Sequence, residues 1–502
     1  MSGWREALLT AEEMRAAEAR YAGSTLELME RAGVACAEVA RRDFEAAETW
    51  VVHCGTGANG GDGLVVARLL HEGGKQVEVI LHGAQERLGG DAAANFERLR
   101  SLPVPVHGKG AAAAAPDAIV DALFGTGFHG EPRTEGARAI DAINEAGCPV
   151  LAVDLPSGVD ASTGAVAGSA VRADSTVTFH RRKLGHAIAP GRFYAGAVTV
   201  ADIGLSPGAE SANAAVTTEI LTQVPRRAEQ DHKYSAGALL VVGGSQGLTG
   251  APSLSAESAL RAGAGIVWAC VPASLNVVFE QRLLEVMTIP CPDDDRGRLR
   301  AGAAEPVLAA AERAGAVALG PGLGRSEETR ALVLHLLERL PVPVVVDADG
   351  LWALAGGLET LKGRTAPTVL TPHTGELARL LGWNPEAVDG RRHAAAMEAA
   401  EAAGAVVLLK GPDTIVATPG LSGVLVSEHG SPALATAGTG DALCGTIGAF
   451  LAKGLDGTTA AAAGAVVGGV AGRIAAERHG QDGVLARDVV EAVALAVSRA
   501  PR

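Results

Sequence analysis

Residues Ala437–Lys453 read AGTGDALCGTIGAFLAK: a glycine turn, an aspartate, then an apolar run with helical spacing. Such a turn lets backbone N–H groups crowd around a phosphate, and the helix N-terminus adds partial positive charge. An aspartate there repels phosphate. It makes sense if Asp441 removes a proton from a hydroxyl as that oxygen attacks a phosphoryl group. It can equally be an N-cap after a glycine-rich turn, so its surroundings have to decide.

Upstream of this stretch the chain alternates. Ala238–Val242, Ile266–Val271, Val317–Leu319, Val342–Val346 and Val406–Leu409 have the short apolar character of buried strands. Ala251–Ala262, Glu327–Leu340, Arg391–Ala403 and Ala442–Lys453 have helical spacing. This pattern predicts a mostly parallel, doubly wound α/β sheet, with ligands at the carboxyl ends of its strands. Five more polar patches follow strands or open helices: GGSQGLTGAPSLSAESALRAGAG, GPGLG, DADGL, TPHTGEL and KGPDT. Gathered on one sheet edge, they would form a nucleotide site.

The first half alternates in the same way. Trp50–Cys54, Val77–Leu81, Ile119–Leu123 and Val150–Asp154 read as strands, and Gly63–His71 as a helix. The loops GTGANGGDG, DALFGTGFHGE and DLPSGVD each follow a strand end. From Ser206 to Lys233 the pattern breaks, with Pro207 and Pro225 inside the break. The junction is placed near 220–228, giving α/β domains 1–222 and 223–502.

The 502 residues are 48% hydrophobic, enough for two or three cores. The formal net charge of −14 argues against a nucleic-acid or anionic-membrane surface. Six scattered cysteines form no C-x-x-C pair, which predicts neither zinc site nor disulfide framework and fits a reducing cytoplasm. The charged start lacks an apolar signal core. Thr459–Ala476 reads as a packed helix rather than a membrane span.

Gly55–Gly60 and Gly125–Gly130 both fit G-x-G-x-x-G. A dehydrogenase also needs an acid just past the second strand to hold a ribose. Here Glu78 lies inside that strand and His82 follows it, which weakens a hydride-transfer reading.

Taken together, the patches of the second half, from about Lys233 to the end, resemble the ribokinase-like ADP/ATP-dependent NAD(P)H-hydrate dehydratases. The wording that carries this is GAPxLSAxxALRxGAG, GPGLG, DADGL, TPHxGE, KGxxT and GTGD, in order. The resemblance implies that Lys410, Gly411, Pro412, Asp413, Thr414 and Gly440 hold the adenine nucleotide. It implies that Ala251, Gly322 and His373 line the pocket for the hydrated nicotinamide, and that Asp441 is the base. Mg2+ is expected, since phosphoryl charge needs a cation. His373 can alternatively cap the helix starting near Thr374, and Asp347 and Asp349 read as helix caps before Leu351 rather than as Mg2+ holders.

The first half, residues 8 to 205, resembles the NAD(P)H-hydrate epimerases. The carriers are LMERAG, GTGANGGDGLVVAR, DALFGTG, VDLPSGVD and FHRRKLGHAIAPGRFYAG. Ala58 stands where that family's loop usually has asparagine. By this resemblance Asn59, Asp121 and Ser157 offer oxygens to K+. The loops Ala58, Asn59, Gly60, Gly61, Asp62 and Gly125, Thr126, Gly127, Phe128, His129, Gly130, Glu131 hold the ligand's phosphates and ribose. Asp154 sits beside C6 of the nicotinamide, where a carboxylate stabilises the cation formed when hydroxide leaves. Asp62 and Asp154 can otherwise be capping residues.

The two resemblances are chemically coherent. A hydrated nicotinamide nucleotide exists as two C6 epimers, and a pocket that reads the hydroxyl by position processes one of them. The expectation is therefore a nicotinamide-nucleotide repair enzyme. It would epimerise R and S NADHX and NADPHX, and dehydrate the S form at the expense of ADP, or ATP. Related dehydratase domains assemble, so a homo-oligomer is expected, without nucleic-acid or membrane partners. Three rivals stay open: a small-molecule kinase with a lasting phosphorylated product, a first half that only senses nucleotides, and an NAD-dependent dehydrogenase.

Overall fold

A computed structural model describes residues 3–108, 115–206, 208, 211–230 and 232–499; Pro207 of the junction lies outside these. The chain divides into two compact units, Ala7–Asn213 and Met1–Glu6 with Ala214–Arg502. The opening residues thus belong with the second half: the strand Arg5–Ala7 ends the same sheet that carries Ala214–Val216. No periodicity in the sequence announces that excursion.

The first unit is built on a seven-stranded sheet. From one edge its strands are Val106–Gly108, Gln76–Leu81, Thr49–Cys54, Ala118–Ala122, Val150–Val153, Ser175–Phe179 and Ala197–Ala201. Every neighbouring pair is parallel. Alternating side chains face opposite layers, as a pleated strand requires. Trp50, Val52 and Cys54 pack with Leu64, Val66, Phe96 and Leu99 of helices Ala58–Glu72 and Gly90–Arg100. Val51 and Ile119 pack with Ile140 and Ile143 of helix Thr134–Glu145. The result is a three-layer sandwich. The chain leaves Thr49–Cys54 toward one edge and returns to its other side at Ala118–Ala122, so the crevice for ligands lies between these two strands.

The second unit has an eleven-stranded sheet. Seven strands, from Met287–Cys291 at one edge to Val406–Leu409, run parallel. Thr414–Ala417 then turns antiparallel, and Val424–Ser427 pairs beyond it. The order reverses between Ala238–Val242 and Ala316–Leu319, which places GGSQG and GPGLG side by side. Leu239, Val241, Ala316 and Ala318 face the core shared with helices Gly250–Arg261, Thr439–Ala452 and Gly457–His479.

Small residues let these helices approach closely. A Cβ on Gly445 would collide with the carbonyl of Ser255, and one on Gly464 would press into Ile447. That is the use of an Ala/Gly-rich composition. Helix Gly457–His479 is long and apolar enough by itself to cross a membrane, but in this fold 78% of its most apolar window is buried against the rest of the unit.

Candidate active sites

In the first unit the loops after Cys54, Ala122 and Val153 converge. Helix Ala58–Glu72 begins within GTGANG, with Gly57 as its N-cap. Gly60 must be glycine, because a Cβ there would overlap the carbonyl of Gly55. Asn59 is buried, its Oδ1 lies against Gly125, and its Nδ2 has no partner among the described residues.

Asp121 is wholly buried. Its Oδ1 accepts from Ser157 Oγ at 2.6 Å and from Leu123 N at 3.2 Å; its Oδ2 accepts from Ser157 N at 2.7 Å. All three donors are neutral, and among the described residues no basic side chain pairs with it. Burial outweighs these hydrogen bonds and pushes the carboxyl up to about 6. A buried carboxylate, a hydroxyl and an amide oxygen together suit a hard cation. Of the predicted binding loop, Phe128 stacks on Phe124 with centroids 5.1 Å apart, while Gly127 and His129–Glu131 stand exposed.

Asp154 is held differently. Its backbone is left-handed, with φ 67°, and it is only 6% exposed. Its Oδ1 lies 2.5 Å from Lys183 Nζ and accepts from Thr178 Oγ1 at 3.0 Å. Its carbonyl meets His186 Nε2 at 2.9 Å. Asp62 is half-buried nearby; burial, with the charges of Asp154 and Glu18, pushes its carboxyl well above the usual range. In the sequence Lys183 and His186 stand out only as parts of FHRRKLGHAIAPGRFYAG. Lys183 sits in an Arg-Arg-Lys run that reads as a solvated charge cluster, and nothing in its spacing marks the one cation that turns inward.

In the second unit Asp441 lies in the first turn of helix Thr439–Ala452, whose N-cap is Gly438 at φ 94°. It is therefore not the cap. Its carbonyl accepts from Ser255 Oγ at 2.8 Å, which ties it to the helix that begins Gly250–Ala251. Burial, with the charges of Asp347, Asp349 and Glu376, pushes the Asp441 carboxyl up to about 7 against the opposing pull of Lys410.

Lys410, at the end of strand Val406–Leu409, reaches Asp347 Oδ1 at 2.9 Å and Glu376 Oε2 at 3.8 Å. Burial works against its charge, but Asp347 and Glu376 outweigh burial and raise its pKa. It is not a solvated surface lysine. A Cβ on Gly440 would lie 3.4 Å from Lys410 Nζ and 3.9 Å from Asp347 Oδ2, so the glycine keeps open the space beside them. Ala251 and Gly322 adjoin: a Cβ on Gly322, which has φ 63°, would come 3.2 Å from Ala251 Cβ.

Two readings of capping resolve in opposite directions. His373 is the N-cap of helix Thr374–Leu381, its Nδ1 accepting from Gly375 N at 3.0 Å while its side chain remains 60% exposed. Asp347 and Asp349, read above as caps, are not caps. The N-cap before Leu351 is Ala348, and it makes no side-chain cap. Asp347 is drawn to Lys410, and Asp349 accepts from Gly324 N at 2.9 Å and pairs with Arg325 at 2.8 Å. In KGPDT the buried Asp413 pairs with Arg392 Nε at 3.1 Å, so its carboxylate shapes the loop. Thr414 begins the strand Thr414–Ala417, with Gly411 and Pro412 in the turn before it. Among the described residues no three His, Cys, Asp or Glu side chains are arranged as a metal cage.

Known proteins show the same two parts. A family model described as NAD(P)H-hydrate dehydratase matches residues 239–494, and one described as the YjeF-related protein N-terminus matches residues 25–185. A bifunctional NAD(P)H-hydrate repair enzyme of Moorella thermoacetica is 41% identical, covering 96% of this chain and 95% of that protein. The Escherichia coli enzyme of that description is 35% identical over 95% of this chain and 92% of its own. The second unit resembles a solved ADP/ATP-dependent NAD(P)H-hydrate dehydratase from Bacillus subtilis, co-crystallised with ATP and Mg2+. That likeness has a TM-score of 0.50 and 27% identity, and covers 57% of this chain and 98% of that one. With both halves matched in one chain along nearly its whole length, the protein belongs to the bifunctional NAD(P)H-hydrate repair enzymes, which join an epimerase unit to an ADP/ATP-dependent dehydratase unit.

Proposed function

We propose that Asp441 and Asp154 are the reacting carboxylates of two separate centres that act in turn on hydrated NADH and NADPH. The observation that carries this is Asp441: a carboxyl raised to about 7 at the mouth of a glycine-opened helix, beside a lysine held by acids. A base poised near neutrality is suited to taking a proton from a neutral alcohol.

In the second unit Asp441 accepts the C6 hydroxyl proton of the S epimer as that oxygen attacks the terminal phosphoryl group of ADP, or ATP. The O–H bond breaks, a P–O bond forms, and AMP, or ADP, leaves. Phosphate then departs from C6 with its bonding electrons, a proton leaves the neighbouring ring carbon, and the reduced nicotinamide is restored. Lys410, the turn at Gly411–Thr414 and Gly440 hold the nucleotide; Ala251, Gly322 and His373 border the nicotinamide. Mg2+ offsets the phosphoryl charge when bound. Asp347 and Asp349, freed from capping, would hold it through water, in keeping with an ion that uses few protein ligands.

In the first unit Asp154 faces C6 and stabilises the ring cation left when hydroxide departs, so that water can return on either face. Residues 58–62 and 125–131 hold the phosphates and ribose. Asn59, Asp121 and Ser157 would hold K+, which supplies the positive charge that the buried Asp121 lacks. We place the chain in the cytoplasm, where the reduced cofactors are used, and expect it to act as a homo-oligomer.

Separately prepared epimers test the assignment. Asp441→Asn is expected to interconvert R and S without forming NADH. Asp154→Ala is expected to consume S and leave R. A lasting phosphorylated product from the unmodified enzyme would favour the kinase reading instead.

A further inference from the structure

Lys183 is the unused group that the structure marks most clearly. It is fully buried, a rare placement for lysine unless it is paired. Its three ammonium protons have three acceptors: Asp154 Oδ1 at 2.5 Å, Thr178 Oγ1 at 2.8 Å and Phe179 O at 3.1 Å. Thr178 Oγ1 in turn lies 3.0 Å from the same Asp154 oxygen. With its donors all engaged, the lysine has none left for a ligand.

The backbone around it is fixed too. Lys183 N donates to His186 Nδ1 at 3.0 Å, so the ring proton sits on Nε2 and is donated to Asp154 O at 2.9 Å. Burial and the charge of Lys183 push the His186 imidazole down to about 3, so it stays neutral. The segment is itself tied down, Leu184 N donating to Leu9 O at 3.0 Å and Leu9 N to Arg182 O at 2.9 Å. Asp154, strained at positive φ, is thus gripped at its carbonyl by His186 and at its carboxylate by Lys183. Strain of that kind persists only where surrounding structure over-determines it.

We propose that Lys183 is a positioning residue for Asp154: without touching ligand, it keeps that carboxylate aimed in one direction, with His186 fixing the backbone beneath it. The proposal rests on the epimerase reading of this unit. Among the described residues, Asp62, Glu18 and Cys36, each from a different helix, also face Asp154. The hydrogen bonds from Lys183 and Thr178 are what hold its carboxylate in place.

The test is the kinetics of R-to-S interconversion by the full-length enzyme, with Lys183→Met, Lys183→Arg and Thr178→Val. Lys183→Met is expected to lower kcat by roughly a hundredfold while KM changes less than about threefold. Lys183→Arg, which keeps the charge, is expected to recover part of kcat. Thr178→Val is expected to lower kcat by less, again with KM nearly unchanged. A folded Lys183→Met with the unmodified enzyme's kcat overturns the proposal. Should Lys183→Met not fold, an unchanged kcat in Thr178→Val overturns it. Failure of the epimerase reading is distinct, because the unmodified enzyme would then interconvert nothing.

Discussion

Lys410 Nζ lies 2.9 Å from Asp347 Oδ1, directly beside Gly440, the residue before Asp441. The lysine and Asp347 pull the Asp441 carboxyl in opposite directions, the lysine favouring its charged form and the aspartate opposing it. Three acids, Asp347, Asp349 and Glu376, and one cation therefore set the pH at which the centre works.

Removing the cation tests this balance. Lys410→Met should lower dehydratase kcat/KM by roughly a hundredfold through lost phosphate contact. It should also move the acid limb of the profile upward, because the charge of Lys410 opposes the rise of the Asp441 carboxyl. Interconversion of epimers by the first unit should be unaffected. An unmoved limb would mean that Lys410 does not act on Asp441.

Asp441 itself should report on stability. Its folded pKa of about 7 stands above the ordinary carboxylate value, so the folded state holds its proton more tightly than the unfolded state does. Its contribution to stability is present below about pH 4 and is lost as pH rises through about 7. Asp441→Asn should therefore abolish NADH formation yet raise Tm at pH 8 by a few degrees, on the order of 1–2 kcal/mol. A lower Tm for the variant at pH 8 would contradict the buried-charge account.

Gly440→Ala isolates space from charge. The added Cβ would lie 3.4 Å from Lys410 Nζ, the mobile end of a side chain, so folding should be little changed. The KM for ADP should rise roughly tenfold, because the methyl group occupies room meant for phosphate. Unchanged nucleotide kinetics would remove Gly440 from the site.

Potassium should stabilise the first unit. The Asp121 carboxyl, held up to about 6, makes the folded state without a cation lose stability as pH rises through that value. Replacing choline chloride by potassium chloride at pH 8 should raise Tm in the unmodified enzyme and not in Asp121→Asn. An equal response in both proteins would place the cation elsewhere.

Much of the fold is legible because its central strands are buried on both faces. Ala238–Val242 and Val406–Leu409 are uninterrupted apolar runs, and their ends fall where the sequence puts them. Ser175–Phe179, with its two threonines, and the half-exposed Ala197–Ala201 carry no such signal and pass as loop. At the sites, glycine loops are readable because close backbone approach excludes other residues. Charge pairing is not: Lys183, Asp347 and Glu376 find their partners through tertiary packing, and one-dimensional spacing cannot say which lysine turns inward or which aspartate forgoes a cap.

The most direct measurement is absorbance at 340 nm on a mixture of both NADHX epimers with ADP, then ATP, in Mg2+ and K+. Two working centres predict complete recovery of NADH, the first unit feeding the second. A stall at the one-epimer level would contradict the role given to Asp154, and no recovery with either nucleotide would contradict the repair reaction assigned to Asp441.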